Sequence, residues 1–498
     1  MAALALIAVP LNAQMTSVGI DCSQINELHL LQQENLRAGV ALIECGIIPG
    51  GRPTARPAEE APAPPNILVS NRTCTDSSSC TKSENMVWSS PDGQTIVVNY
   101  NDHQNSQYSG TSYSTDGGAT FTEIEPPPFA TGHSTNFGDP IVVYNQKLGL
   151  WFAGDLVVGC GSGVGLWTSP DGINWTVGAC AVNGTTDRES MWVDNDPTSA
   201  GYGRMYISLN NETKGGALQV NYSDDGVTWS AVQLSTTFIR DVQITGAQIS
   251  PTAHRSSLRG YNSVFVVGMD EGGGGPATRQ NLIWRSDNGG ASWTQVVMGP
   301  RFNPAGDSQC GYFEQINPIW RHMGWGEPAV GPNNVVHYVF AGAGTNSDNG
   351  DIYYTRSTDN GATWSNPLKL NTDPDQQYHT QWMPSLSINS AGRLTASWYD
   401  RRSVSTACNN VTDPGCNYER YARQSPDNGV TWNADFAVSS GIIPQPGQND
   451  GGVSFCYAGD YDYDTARGNN AYVTWTDGRR NVGGSHVQDV NFAAVPEQ

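Results

Sequence analysis

The chain has 498 residues, a formal net charge of −21 and 38% hydrophobic residues, with 15 tryptophans and 20 tyrosines. That is enough apolar surface for a large packed core, which excludes a disordered chain. The acidic balance excludes nucleic acid and anionic lipid as partners, since both select basic faces, and abundant Gly (56) and Pro (29) favour short strands and tight turns over long helices.

Residues 1–13, MAALALIAVPLNA, have the apolar core and small-residue end of an export signal without a basic stretch before it; cleavage is expected after Ala13. No later apolar run is long enough for a membrane-spanning helix. Residues 14–49 carry a helical pattern at Ile25, Leu28, Leu31 and Leu36. A straight helix from Ser23 to Glu44 would hold Cys22 and Cys45 ~30 Å apart, so pairing them requires a reversal, placed at Gly39. Residues 50–65, GGRPTARPAEEAPAPP, read as an extended linker.

The ten cysteines, with no CxxC pair, fit disulfides formed in an oxidising compartment and argue against a zinc ribbon or a thioredoxin-like motif. Local pairings suggest themselves for Cys74 with Cys80, Cys160 with Cys180, and Cys408 with Cys416. These would leave Cys310 to Cys456 and Cys22 to Cys45, although sequence alone does not fix the connectivity.

From residue 66 to 498 one turn keeps returning. Ser114-Thr-Asp116-Gly-Gly118-Ala-Thr120-Phe121 is followed by Ser286 to Trp293, Ser357 to Trp364 and Ser425 to Trp432, with one-residue-shorter copies at Ser169 to Trp175 and Ser223 to Trp229. The Asp or Asn can cap backbone N–H groups, Gly supplies a positive φ and the aromatic ring buries itself. The spacing suits a four-stranded blade. A seventh unit has strands near Tyr457 to Tyr463, Ala471 to Thr476 and Val487 to Ala493 but no such turn, and Asn66 to Ser70 is expected to complete it and close the ring. The fold class is therefore an all-β, seven-bladed propeller with a small N-terminal helical segment; six blades is the alternative.

The turns resemble the Asp-box (BNR) repeat of the sialidase superfamily and of related secreted propellers, over roughly residues 66 to 494. The resemblance implies a structural role for the turns, on the face away from the active site. Aligning the units on them gives two rings on the opposite face. One holds Glu84, Asp139, Arg188 with Glu189, Gln248, Glu327, Gln381 and Asp460, and the other Asp102, Asp155, Asn210, Asp270, Asp400 and Asp477.

The resemblance further implies a carboxylate clamp of Arg188, Arg401 and Arg479, a nucleophile in Tyr399 or Tyr461, its base in Glu327 and an acid in Asp139 or Asp187. Glu189, His379, Asp400 and Asp460 complete the substrate-binding candidates. The Arg-Ile-Pro element that carries the family's first clamp arginine has no match here. The function expected is an exported, exo-acting glycoside hydrolase on an acidic or complex glycan.

Two alternatives stand beside it. A lyase on uronic-acid polymers would use Tyr or a histidine among His133, His322 and His379 as base, and a non-catalytic glycan- or protein-binding scaffold would assemble through the N-terminal segment. No cofactor is required. A structural Ca²⁺ has candidate ligands in Asp348 and Asp351 and in Asp194 and Asp196, which sit in short oxygen-rich loops.

Overall fold

In the computed structural model the described residues are 63–497, apart from 71–73, 106–107, 125–131, 248–259, 272–278, 300, 306, 311–312, 316–324, 345–347, 409–413 and 447–457, together with 15–16, 19–27, 41–42 and 44–47. Expectations for the export signal, for Gly39, for most of the linker, for Gln248 and His322, and for the Cys310–Cys456 bond lie outside them.

Short apolar runs flanked by turn residues make the strands, and among the described residues these group into seven sheets of four or five strands and two small two-stranded ones. Blade I starts with Lys82–Ser89, blade II with Asn136–Asn145, blade III with Thr186–Val193, blade IV with Arg240–Gly246, blade V with Gly326–Val330 and blade VI with Gln381–Ile388. Blade VII contains Thr465–Arg467, Asn470–Asp477 and Asp489–Pro496, and its outermost strand is Ile67–Leu68 from the other end of the chain, antiparallel to Asp489–Pro496. Asp462–Tyr463 also pairs in parallel with the first strand of blade I. These two pairings lock the last blade to the first, as the Asn66 to Ser70 segment was expected to do, and remove the open edge that a ring split between blades would leave. Seven blades, not six, form the ring.

The six recurring turns join the third and fourth strands of blades I to VI. In each, the serine hydroxyl accepts the N–H of the closing glycine, at 2.8 Å from Gly361 and 2.9 Å from Gly118. The Asp side chain accepts from the residues that follow: Asp359 Oδ1 takes the Thr363 N–H at 2.8 Å and Oδ2 the Thr363 hydroxyl at 2.6 Å. Gly361 sits at φ +83°, where a side chain is strained, and the Trp364 indole buried behind it donates to the Gly361 carbonyl at 3.3 Å.

Among the described residues four disulfides form: Cys22–Cys45, Cys74–Cys80, Cys160–Cys180 and Cys408–Cys416. The helix pattern of residues 14–49 appears, among the described residues, only as a short 3₁₀ turn at Cys22–Gln24 and a helical piece near Ala41. Ile20, Ile25, Ala41 and Leu42 are buried against Phe265, Phe302, Trp325 and Phe340 of blades IV and V. These four apolar side chains are therefore covered by the chain's own propeller. No helix among the described residues is long and apolar enough to cross a membrane.

Replacing Ser357 by Ala leaves the buried Gly361 N–H without its acceptor and is expected to destabilise the fold by about 1–2 kcal/mol in urea unfolding, with no change of secondary structure.

Candidate functional site

The innermost strands do not run straight into the axis. Those of blades I, II, III, IV and VI each break register near their start, at Glu84, Asp139, Arg188, Asp241 and Met383. All five residues have positive φ, from +44° at Met383 to +60° at Asp139. A bulge of this kind inserts an extra residue and re-aims its side chain. At four blades the bulged residue is charged and lines a central cavity of about 140 Å³, together with Asp187, Asn210, Arg240, Trp325, Asp460 and Tyr461.

Arg188 organises the cavity. Its guanidinium is ion-paired with Asp241 and donates to the Tyr463 hydroxyl at 2.6 Å. It lies 4.1 Å from the Tyr461 ring centroid and 5.8 Å from that of Trp325, a cation–π contact on aromatic walls. Its own backbone N–H donates to Asp139 Oδ2 at 3.0 Å.

Asp139 is the perturbed acid. Burial, then the neighbouring Asp187, raise its pKa to about 7 against the partial relief from Arg188, and Asp460 adds to the rise. Asp187, one residue before the blade III bulge, is exposed. Tyr461 is 3% exposed and stacks on Tyr463, and its hydroxyl has no partner among the described residues. Glu84 is held by the Asn101 amide at 2.6 Å and the Asp460 N–H at 2.8 Å, which gives it a structural role. Glu189 is fully buried behind the bulge, and its pKa is pushed well up by burial and then by Asp139.

The cavity brings together Asp139, Asp187, Arg188, Asp460 and Tyr461. The other sequence candidates stand elsewhere. Glu327 is further down the axis, where its carboxylate accepts from the Ser385 hydroxyl at 2.9 Å and the Leu386 N–H at 3.3 Å. Tyr399 is fully buried between blades VI and VII, donating to Asp462 at 2.6 Å and accepting the Thr476 N–H at 2.8 Å.

Asp400 and Asp477 are the centres of two copies of one clasp. Asp400 accepts the Trp398 indole N–H at 2.9 Å and the Arg402 guanidinium at 2.6 Å, and Asp477 accepts the Trp475 indole N–H at 2.8 Å and Arg479 at 2.7 Å. Arg479 is thus held at the rim of blade VII, where it also reaches Asn66 at 3.0 Å. Arg401 donates to the Gly415 carbonyl in the loop closed by Cys408–Cys416. The three arginines of the expected clamp are held by separate partners and do not converge. His379 lies beside Asp373, its Nδ1 3.7 Å from the carboxylate, and burial lowers its pKa.

Protein donors contact the carboxylates read as calcium ligands, although one oxygen of Asp348 has no partner among the described residues. Lys369 sits on Asp351 and Asp375 and supplies the positive charge there. Asp194 accepts the Ser199 hydroxyl at 2.5 Å and the Asn262 amide at 3.1 Å, while Asp196 accepts the Thr198 N–H at 2.9 Å. Asp348 accepts the Gly350 N–H at 3.0 Å, and burial, then Asp351, push its pKa up to about 9.

Sequence reasoning missed Asp241 and Trp325. Counting back from the blade IV turn led past Asp241 because a long connection separates the first two strands of that blade; the clue was Arg240-Asp241 heading an apolar strand just as Asp187-Arg188 does.

No family model matches the chain, and no curated protein matches it. Among solved structures it is similar to a protein of unknown function from Dyadobacter fermentans (13% identity, TM-score 0.43, 91% of this chain and 100% of that one). It is also similar to a PL25 ulvan lyase (9%, 0.48, 86% and 96%) and to an α-L-arabinofuranosidase from Fusarium graminearum (10%, 0.40, 88% and 98%). Likeness at this level says nothing about substrate or chemistry.

The buried acids set a pH window for stability. Asp139, Asp462 and Glu497 have folded pKa values raised to about 7, 7 and 8, each by burial first, so above ~4 the folded state holds protons the unfolded chain has released and stability falls as pH rises towards 8. The turn carboxylates Asp116, Asp171 and Asp359 are lowered to about 2 and lose their contribution as pH falls below ~4. Thermal unfolding midpoints are expected to be highest near pH ~5 and to decline on both sides; a midpoint that rises steadily from pH ~5 to ~8 contradicts this reading.

Proposed function

We propose that the protein is a secreted glycoside hydrolase that takes the terminal sugar of a glycan into the central cavity. Asp139 acts as general acid and Asp187 as the second carboxyl group, either base or nucleophile. The single observation that carries the reading is that a half-buried carboxyl pushed up to about 7 stands beside an exposed one. Two carboxyl groups are what glycosidic bond cleavage requires, one to protonate the leaving oxygen and one to stabilise or attack the cationic centre.

A cavity of about 140 Å³ suits a chain end better than the middle of a polymer. Its guanidiniums are already engaged, Arg188 by Asp241 and Arg240 by Glu271, so a neutral sugar is favoured over sialic acid or a uronate. Trp325 and Tyr461 supply an apolar wall for a sugar face. The recurring turns, read as Asp-boxes, and the four disulfides support export and a sialidase-like scaffold. The lyase reading is favoured by one observation, the buried Tyr461 hydroxyl, which has no partner among the described residues.

In a screen of neutral exo-glycosides, sialosides and uronic-acid polymers, reducing ends are expected from the neutral substrates, without absorbance from unsaturated sugars. Asp139→Asn should lower kcat by about 10²–10⁴-fold with folding intact, and the wild-type rate should fall as pH rises through about 7. Unsaturated products that disappear in Tyr461→Phe would transfer the assignment to a lyase.

A further inference from the structure

In blade II the 3₁₀ turn Val158–Cys160 and the strand Thr176–Cys180 bring two cysteines together as a disulfide, and the segment ahead of Asn136–Asn145 sets His133 against it. His133 Nδ1 is 3.6 Å from Cys160 Sγ. The three possible donor atoms, one His133 nitrogen and the two sulfurs, all lie within 4.8 Å of one another.

The imidazole is held in a fixed orientation. Nε2 lies 3.1 Å from the Leu166 carbonyl, which only accepts, so Nε2 carries its hydrogen. In the neutral ring Nδ1 is then the bare nitrogen, and it is the one beside the sulfur. The ring stands edge-on to Trp167, with centroids 4.9 Å apart. The Gly159 N–H donates to the His133 carbonyl at 2.7 Å, and a Cβ on Gly165 would come within 2.9 Å of the ring. His133 and Cys160 are buried, whereas Cys180 is half-buried, which leaves the bond open to a reagent from its side.

An imidazole whose second nitrogen donates to a backbone carbonyl has the setting of a metal-ligating histidine. Zinc bonds of about 2.3 Å to sulfur and about 2.0 Å to nitrogen, arranged tetrahedrally, put neighbouring donors roughly 3.5–4 Å apart. The His133–Cys160 separation already has that value, and only the two sulfurs have to part.

We propose that, once a thiol reductant opens the Cys160–Cys180 bond, Cys160, Cys180 and His133 Nδ1 bind one Zn²⁺, with water in the fourth position. Two reductant thiols supply two electrons and two protons and leave as their own disulfide; Zn²⁺ then displaces one proton from each cysteine thiol. The oxidised chain holds a covalent link at this place and the reduced chain an ion. The site is separate from the mouth and does not rest on the hydrolase reading.

The full chain, equilibrated in mixtures of reduced and oxidised glutathione with and without a fixed free concentration of Zn²⁺, tests it, each cysteine pair being read by alkylation and peptide mass spectrometry. Zn²⁺ binds only the reduced pair, so the reduced-to-oxidised ratio of Cys160–Cys180 is expected to rise about tenfold once free Zn²⁺ reaches roughly ten times its Kd, with Cys74–Cys80 unchanged. In His133→Gln, whose amide can still donate to the Leu166 carbonyl, the same rise should need at least about tenfold more Zn²⁺. If that variant does not fold, Co²⁺ on the reduced wild-type chain decides, one equivalent being expected to give the visible absorption of a four-coordinate thiolate site. A Cys160–Cys180 ratio that Zn²⁺ leaves unchanged, a rise undiminished in His133→Gln, or no such Co²⁺ absorption overturns the proposal.

Discussion

Everything at the mouth depends on the bulge at the head of the innermost strands. A non-glycine residue held at positive φ costs about 1–3 kcal/mol, and the chain accepts that strain at Glu84, Asp139, Arg188, Asp241 and Met383. The recurrence has a geometric cause: the first strands converge at the axis, and a residue inserted there turns its side chain inward where the straight ladder would turn it along the blade. Met383 separates architecture from chemistry, since blade VI has the bulge without a charged side chain. The scaffold fixes where a side chain projects, and the residue type then decides what the mouth does.

The second requirement is that the ring not open. Ile67–Leu68 and Asp462–Tyr463 tie the two ends of the propeller together, and the serine–aspartate turns brace the outer strands of six blades. Two disulfides stand near the cavity: Cys160–Cys180 lies just upstream of Asp187 and Arg188, and the Cys22–Cys45 segment packs its apolar side chains in the same cluster as Trp325. A wall residue of the cavity is thus supported from behind by the N-terminal segment.

The blades were legible in the sequence because each turn is a local device whose hydrogen bonds span four residues, as from Ser357 to Gly361, and leave a fixed spacing of residue types. The closing strand was legible because the seventh unit was short of a partner. The mouth was only half legible. Asp139, Asp187, Arg188, Asp460 and Tyr461 were found because they sit next to strand starts, but side-chain direction depends on register, and a bulge changes register without any signature in composition. Tyr399 and Arg479 therefore looked like site residues while serving a buried interface and an Asp clasp. Asp241 was hidden by the length of one loop.

The central claim is that the bulge and burial keep the Asp139 carboxyl protonated near neutral pH. Its side-chain carboxyl carbon can be followed by ¹³C NMR against pH in selectively labelled protein, with Asp139→Asn to assign the resonance. A midpoint of about 7 is the predicted result. A midpoint near 4, the ordinary aspartate range, would contradict the account of the mouth.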